Sequence, residues 1–344
     1  MIVLHSVIWE LAAFGLVLFI FNRWLLLWVD GPVKFAAMAT LGLSCAIGAG
    51  VAARSTLHVF LVLPTMLLFC FSLGEVRRLW LRHVYRAPHD IADSMPGIVL
   101  AHPETTTDLA LTRYEVAANL TSRRIRIVHL TDLHLSRALP WDYFVEVREA
   151  VRREVPDIIV ITGDFISKSD NLDLMRDWLR DFPQAPLGTF AVLGNHDYWS
   201  RASEAVKTTL AEHRIQWIAG RCEKLAVNAN RSLVLCGTEK PWGPGARLEG
   251  RDPDDFVILL SHTPDEVYAT STQADIMLAG HCHGGQWRVP GLGSLVVPSR
   301  YGRRLDRGQF QIGKTRLFVS SGIGVDAPYL RLFCPPEIVV VDLI

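Results

Sequence analysis

The chain has 344 residues with 35 basic and 35 acidic side chains, so its formal net charge is zero and no bulk field draws it to a polynucleotide. A hydrophobic share of 50% and a positive mean hydropathy are high for a purely soluble protein, and the excess sits at the N-terminus. Six cysteines (Cys45, Cys70, Cys222, Cys236, Cys282 and Cys334) stand without CxxC spacing, which argues against a disulfide framework and fits a reducing compartment.

Residues 2–21 are nearly all apolar, broken by Glu10, and two further apolar runs cover residues 33–53 and 57–73. Each approaches the roughly 20 residues that cross a bilayer as a helix. No basic segment precedes the first run and no small-residue cleavage site follows it, which argues against a signal peptide. Arg77, Arg78, Arg82 and Arg86 follow the third run. Short basic loops stay on the cytoplasmic side, and Arg23 and Lys34 agree with an N-terminus outside and the large C-terminal part in the cytoplasm. Residues 1–86 therefore read as a transmembrane region of about three helices. Residues 87–112, with Pro88, Pro96, Gly97 and Pro103, read as a linker, and residues 113–344 as one α/β domain.

Within that domain, residues 124–130 alternate and then turn apolar, as a strand does, and end in Thr131-Asp132-Leu133-His134. Helical stretches are predicted over 141–155, 172–182 and 201–213. Between them lie apolar runs at 158–161, ending in Thr162-Gly163-Asp164, and at 190–193, ending in Gly194-Asn195-His196-Asp197. Shorter strands follow at 224–227, 232–236, 256–260, 276–279, 317–319 and 338–343. The run 256–260 ends in Ser261-His262, and 276–279 in Gly280-His281-Cys282-His283. Continuous apolar strands interleaved with helices predict sheets buried on both faces, here a two-sheet α/β sandwich.

Five strand-like runs thus end in Asp, Asn or His. Ligands of α/β sheets collect outside the carboxyl ends of strands, so these residues are expected to converge. Two carboxylates, one amide and four imidazoles are too many donors for one tetrahedral ion. They suit two ions at roughly 3.5–4 Å, bridged by a carboxylate and a water that ionises near neutral pH and attacks a phosphoryl group. Mixed nitrogen and oxygen donors permit Mn²⁺, Fe²⁺ and Zn²⁺, and cellular availability decides among them; Mn²⁺ is the first expectation.

Asp132-Leu133-His134, Gly163-Asp164, Gly194-Asn195-His196-Asp197, His262 and Gly280-His281-Cys282-His283 resemble, in order, the five motifs of calcineurin-like metallophosphoesterases, over about residues 121–344. The resemblance implies that the sandwich has four layers, and that Asp132, His134, Asp164 and His283 bind one metal. It makes Asp164 a bridge, and gives Asn195, His262 and His281 to the second metal. It further implies that His196 donates a proton to the leaving oxygen or stabilises the transition state, held by Asp197. Phe165-Ile166-Ser167 after the Gly-Asp pair departs from the purple acid phosphatases of the superfamily, which place a Tyr ligand there. The stretch from Gly284-Gly285-Gln286 through Val297-Pro298-Ser299-Arg300-Tyr301-Gly302-Arg303-Arg304 looks more like the bacterial membrane-associated branch, which includes phosphodiesterases and UDP-diacylglucosamine hydrolases.

Arg300, Arg303 and Arg304 are expected to clamp a phosphate or pyrophosphate, since guanidinium offers it a bidentate fork; a solvated basic loop is the competing reading. The expected function is a membrane-anchored phosphoesterase of the bacterial inner membrane, its domain cytoplasmic, cleaving a phosphodiester or pyrophosphate that includes a lipid-linked substrate. Membrane lipids are its other expected partner. A cyclic-nucleotide phosphodiesterase or nuclease is the alternative enzyme. No long basic groove supports a stable nucleic-acid partner. A scaffold with a vestigial metal site sits poorly with seven ligands all present.

Overall fold

Short runs of Ile, Val and Leu closed by polar turn residues form the strands. In chain order they are β1 (Ile91–Asp93), β2 (Ala110–Val116), β3 (Ile125–Leu130), β4 (Ile158–Thr162), β5 (Thr189–Val192), β6 (Ile215–Trp217), β7 (Cys222–Leu225) and β8 (Leu233–Thr238). They continue with β9 (Phe256–Ser261), β10 (Ile276–Ala279), β11 (Arg288–Val289), β12 (Gly293–Ser294), β13 (Gly308–Ile312), β14 (Thr315–Val319) and β15 (Glu337–Leu343). The helices are α1 (Trp141–Arg153), α2 (Leu172–Arg180), α3 (Asn195–Trp199), α4 (Ser203–Glu212) and α5 (Val267–Thr270).

This is a computed structural model. It describes residues 11–17, 91–93, 102–118, 120, 123–225, 227, 232–248 and 252–344, with helical positions between 36 and 47 and between 76 and 84. Two units are distinguished, Met1–Tyr85 with Leu295–Arg304, and Arg86–Ser294 with Leu305–Ile344. In the first, the described residues of 11–17, 36–47 and 76–84 are helical. Among the described residues no helix is long and apolar enough to cross a membrane. The predicted span 57–73 and most of 2–21 and 33–53 lie outside those residues.

The second unit holds two large sheets. A seven-stranded sheet runs β1-β2-β15-β3-β4-β5-β6, and a six-stranded sheet runs β13-β14-β10-β9-β8-β7. Strands β3, β4 and β5 are mutually parallel, as are β8, β9, β10 and β14. Successive side chains of a strand point to opposite faces, and the burial follows that rule. Ile158 and Val160 pack between the sheets with Ile127, Leu235, Ile258, Leu260 and Leu278. Ile159 and Ile161 face the other way, with Phe144, Val147 and Val151 of α1 and Trp178 of α2. The Trp178 indole N–H donates to the Phe144 carbonyl at 2.7 Å, tying the two helices.

The structure differs from the sequence expectation in three places. The region predicted as linker, 87–112, contains β1 and the start of β2; β2 alternates Ala110, Thr112, Tyr114 and Val116 inward, and β15 pairs with it in parallel. After β9, the described helical structure reduces to the four-residue α5 and short 3-10 turns, which is less than the fourth layer expected. Cys222 and Cys236 are joined by a disulfide, where the cysteine spacing argued against a disulfide framework and for a reducing compartment. They sit directly opposite on the antiparallel pair β7 and β8, a proximity that spacing along the chain does not reveal.

Candidate metal centre

The parallel strands β3, β4 and β5 of one sheet and β9 and β10 of the other bring their carboxyl ends to one place. Asp132 and His134 follow β3, Asp164 follows β4, Asn195 follows β5, His262 follows β9, and His281 and His283 follow β10. The turns that carry them are sharp. Ten described non-glycine residues have positive φ, and five of them are Asp132 (51°), His134 (40°), Asp164 (55°), His281 (69°) and His283 (49°). Left-handed backbone costs an L-residue roughly 1–3 kcal/mol, least for Asp, Asn and His, so the folded sheets hold strain at this point. Glycines give the remaining clearance. A Cβ on Gly194 would stand 2.2 Å from Asp164 Oδ1, and one on Gly280 would stand 2.0 Å from Thr131 Oγ1.

Two donor clusters result, Asp132–His134–Asp164–His283 and Asp164–His262–His281, all buried and each with its donor atoms within 4.8 Å of one another. Asp164 belongs to both. Its Oδ2 lies 3.6 Å from His134 Nε2 and 3.2 Å from His262 Nε2. His134 Nε2 and His283 Nε2 face each other at 3.0 Å, and His283 Nε2 is 3.3 Å from Asp132 Oδ1. Asn195 joins the second cluster, its Oδ1 3.0 Å from His262 Nε2. All seven residues expected as ligands are thus assembled.

Outer contacts fix the rings. The Nδ1 of His262 donates to the Thr162 carbonyl at 2.7 Å, which leaves Nε2 as the atom facing the cluster. His134 Nδ1 is 2.6 Å from Ser167 Oγ. The His281 backbone N–H donates to Asp132 Oδ2 at 2.9 Å, so the two sheets are joined at the ligands themselves. Arg331, fully buried, donates to the carbonyls of Ser321, Gly322 and Gly324 and at 3.3 Å to that of His283. It holds the turn that presents His283.

The electrostatics favour a cation. Burial pushes the Asp132 carboxyl up, but His283 beside it, together with His262, holds it below the ordinary carboxylate range. Asp164 is likewise held well below that range, burial being overcome by His262 and His196. Burial, then His283, lowers His134 to about 3, and burial, then His262, lowers His281 to about 3. Both imidazoles are therefore neutral, the form that ligates. For His262 burial lowers the pKa, but Asp164 reverses this and raises it to about 9; a cation in the second cluster would displace that proton. Ionised carboxylates and imidazoles converging in a buried pocket are a donor set that fits two divalent ions.

His196 and Asp197 do not form the pair expected of them. The His196 ring lies 4.9 Å from that of His134, and its Nε2 is 3.5 Å from Asp326 Oδ2. The Asp197 carboxylate instead accepts from the backbone N–H groups of Asp164, Phe165, Ile166 and Gly194 at 2.9, 3.0, 3.3 and 2.9 Å. An N-terminal residue of a short helix bends back to cap two strand-end turns, so its side chain is spent there. Burial, then Asp164, push the Asp197 carboxyl up, and the four N–H donors pull against that and hold it as the accepting carboxylate.

Arg300, Arg303 and Arg304 lie in the segment Leu295–Arg304, which groups with the N-terminal unit. Cys282 is buried, and burial raises its thiol pKa. Ser167, Asp326 and Arg331 stand in no motif of the sequence. The last two follow β14, in the loop Ser320 to Leu332, so Asp326 is an acidic residue at a sixth strand end.

Residues 125–285 match the family model of calcineurin-like phosphoesterases. A metallophosphoesterase of Aquifex aeolicus is 32% identical over 231 residues, covering 64% of this chain and 85% of that protein. The phosphodiesterase YaeI of Escherichia coli is 30% identical, covering 64% of this chain and 82% of its own length. The UDP-2,3-diacylglucosamine pyrophosphatase LpxG of Chlamydia muridarum is 26% identical, with 62% and 82% covered.

Proposed function

The chain belongs to the calcineurin-like phosphoesterase family and is a phosphoric ester hydrolase, and on that premise we propose that it cleaves a phosphodiester or pyrophosphate bond in a substrate held at a membrane. The observation that carries the reading is the sharing of Asp164 between two buried donor clusters. Asp132, His134, Asp164 and His283 would hold one divalent ion, and Asp164, Asn195, His262 and His281 the other. Such a pair of ions acidifies a water and neutralises the charge that builds on a phosphoryl group.

The protein's own groups do the rest. His196, beside the first cluster, donates a proton to the leaving oxygen, and Asp326 orients its ring. Asp197 holds the Asp164 and Asn195 turns in register. The relatives named for a phosphodiester and for a nucleotide-linked diacyl pyrophosphate support the bond type and a lipid-linked substrate. The three apolar runs of the sequence support attachment to the membrane.

Hydrolysis of bis(p-nitrophenyl) phosphate by the full chain with Mn²⁺ tests this. His196→Ala is expected to lower kcat by about 10²-fold or more, the size of a general-acid contribution, while the bound metal per chain stays at the wild-type value. An inactive wild type, or full activity in His196→Ala, would count against the reading.

A further inference from the structure

The loop after β8 carries an aromatic residue that the metal centre does not use. Glu239, Lys240, Pro241, Trp242, Gly243, Pro244 and Gly245 form a tight turn. The Glu239 N–H donates to the Pro244 carbonyl, and the Trp242 and Gly243 N–H groups donate to the Glu239 carbonyl, all at 2.8 Å. The turn is pinned from beneath. The buried Glu239 carboxylate accepts from the Leu193 N–H at 2.5 Å, the Trp217 indole N–H at 2.7 Å and the Tyr198 hydroxyl at 2.5 Å. Gly243 is packed so closely that a Cβ there would stand 2.2 Å from the Tyr198 hydroxyl.

This anchoring lays the half-buried Trp242 indole against the second donor cluster. Its ring centroid is 5.1 Å from that of His281 at 63° and 5.7 Å from that of His262 at 66°. Among the described residues its N–H makes no hydrogen bond, whereas Trp178, Trp217 and Trp287 each donate theirs to the protein. An indole held immobile at the site, with a polar edge left unengaged, is equipped to receive a ligand. His196 stands at the other cluster, 4.9 Å from His134, so the leaving group and Trp242 belong to opposite ends of the site.

We propose that Trp242 is a wall of the substrate pocket, and that an aromatic or heteroaromatic group on the non-leaving side of a phosphodiester or pyrophosphate stacks on its indole. The inference rests on the hydrolase reading above and adds to it which substituent the site selects. Stacking on an aromatic side chain changes affinity by roughly tenfold or more when the ring is removed.

Bis(p-nitrophenyl) phosphate and methyl p-nitrophenyl phosphate share a leaving group and differ only in the other substituent. In the full chain loaded with Mn²⁺, the ratio of kcat/KM for the first over the second is expected to fall about tenfold in Trp242→Ala, through KM. Trp242→Phe should keep it within about threefold of wild type, since a ring remains. Bound metal per chain, measured on the same samples, is expected to stay at the wild-type value. An unchanged ratio in Trp242→Ala overturns the proposal. So does an equal loss on both substrates accompanied by loss of metal, because the indole would then merely support His262 and His281. A wild type that cleaves neither diester overturns the hydrolase reading itself, a result distinguishable from both.

Discussion

Asp164→Asn is expected to lower kcat/KM on bis(p-nitrophenyl) phosphate by at least about 10⁴-fold, near 5.5 kcal/mol of transition-state stabilisation, and to leave the chain with one bound divalent ion or none. Asp164 is the one residue common to both donor clusters, so a single atom change removes a charged ligand from each. Asparagine matches the volume and tolerates the left-handed backbone at φ 55°, so the fold has no steric reason to fail. The thermal midpoint of the chelator-treated variant should lie within a few degrees of the treated wild type. A small loss of activity with two ions retained would show that Asp164 does not serve both clusters.

Asp197→Ala should be the most destabilising of the site substitutions. Four buried backbone N–H groups, those of Asp164, Phe165, Ile166 and Gly194, donate to this one carboxylate. An unsatisfied buried donor costs roughly 1–3 kcal/mol, so a loss of about 4 kcal/mol or more is expected after partial relaxation. For a domain of this size that is a fall in Tm of about 10 °C. Asp197→Asn is not expected to rescue it. With N–H donors on both oxygens, an amide NH₂ would set donor against donor. Thermal unfolding of the two variants checks this, and a wild-type Tm in Asp197→Asn would refute the proposed bonding. The same experiment separates two roles, since a residue that only held His196 would change the rate and leave Tm alone.

The site was legible in the sequence because its residues follow a local rule. Parallel apolar strands end in short polar turns, and donors such as Asp132, Asp164 and His281 appear at those turns whatever the rest of the chain does. What the sequence hid was non-local. The insertion of β15 between β2 and β3 depends on pairing across more than two hundred residues. The opposition of Cys222 and Cys236 depends on the register of two strands rather than on cysteine spacing. Asp197 is adjacent to His196 in the chain, and adjacency suggested a partnership. The short helix α3 turns successive side chains in different directions, and Asp326, one hundred and thirty residues further on, reaches the imidazole instead. Arg331 has no motif around it, and its work is visible only in the carbonyls that surround it.

The strained turns point the same way. Five left-handed ligands are a cost that the surrounding sheets and a bound cation offset, as at other sites where function and local stability compete. Occupancy is therefore the central matter. An anomalous difference map from crystals of the full chain soaked in Mn²⁺ tests it most directly. Two peaks are expected, both within ligand distance of the Asp164 carboxylate, one also beside Asp132, His134 and His283 and the other beside Asn195, His262 and His281. A single peak, or two peaks that do not share Asp164, would contradict the account.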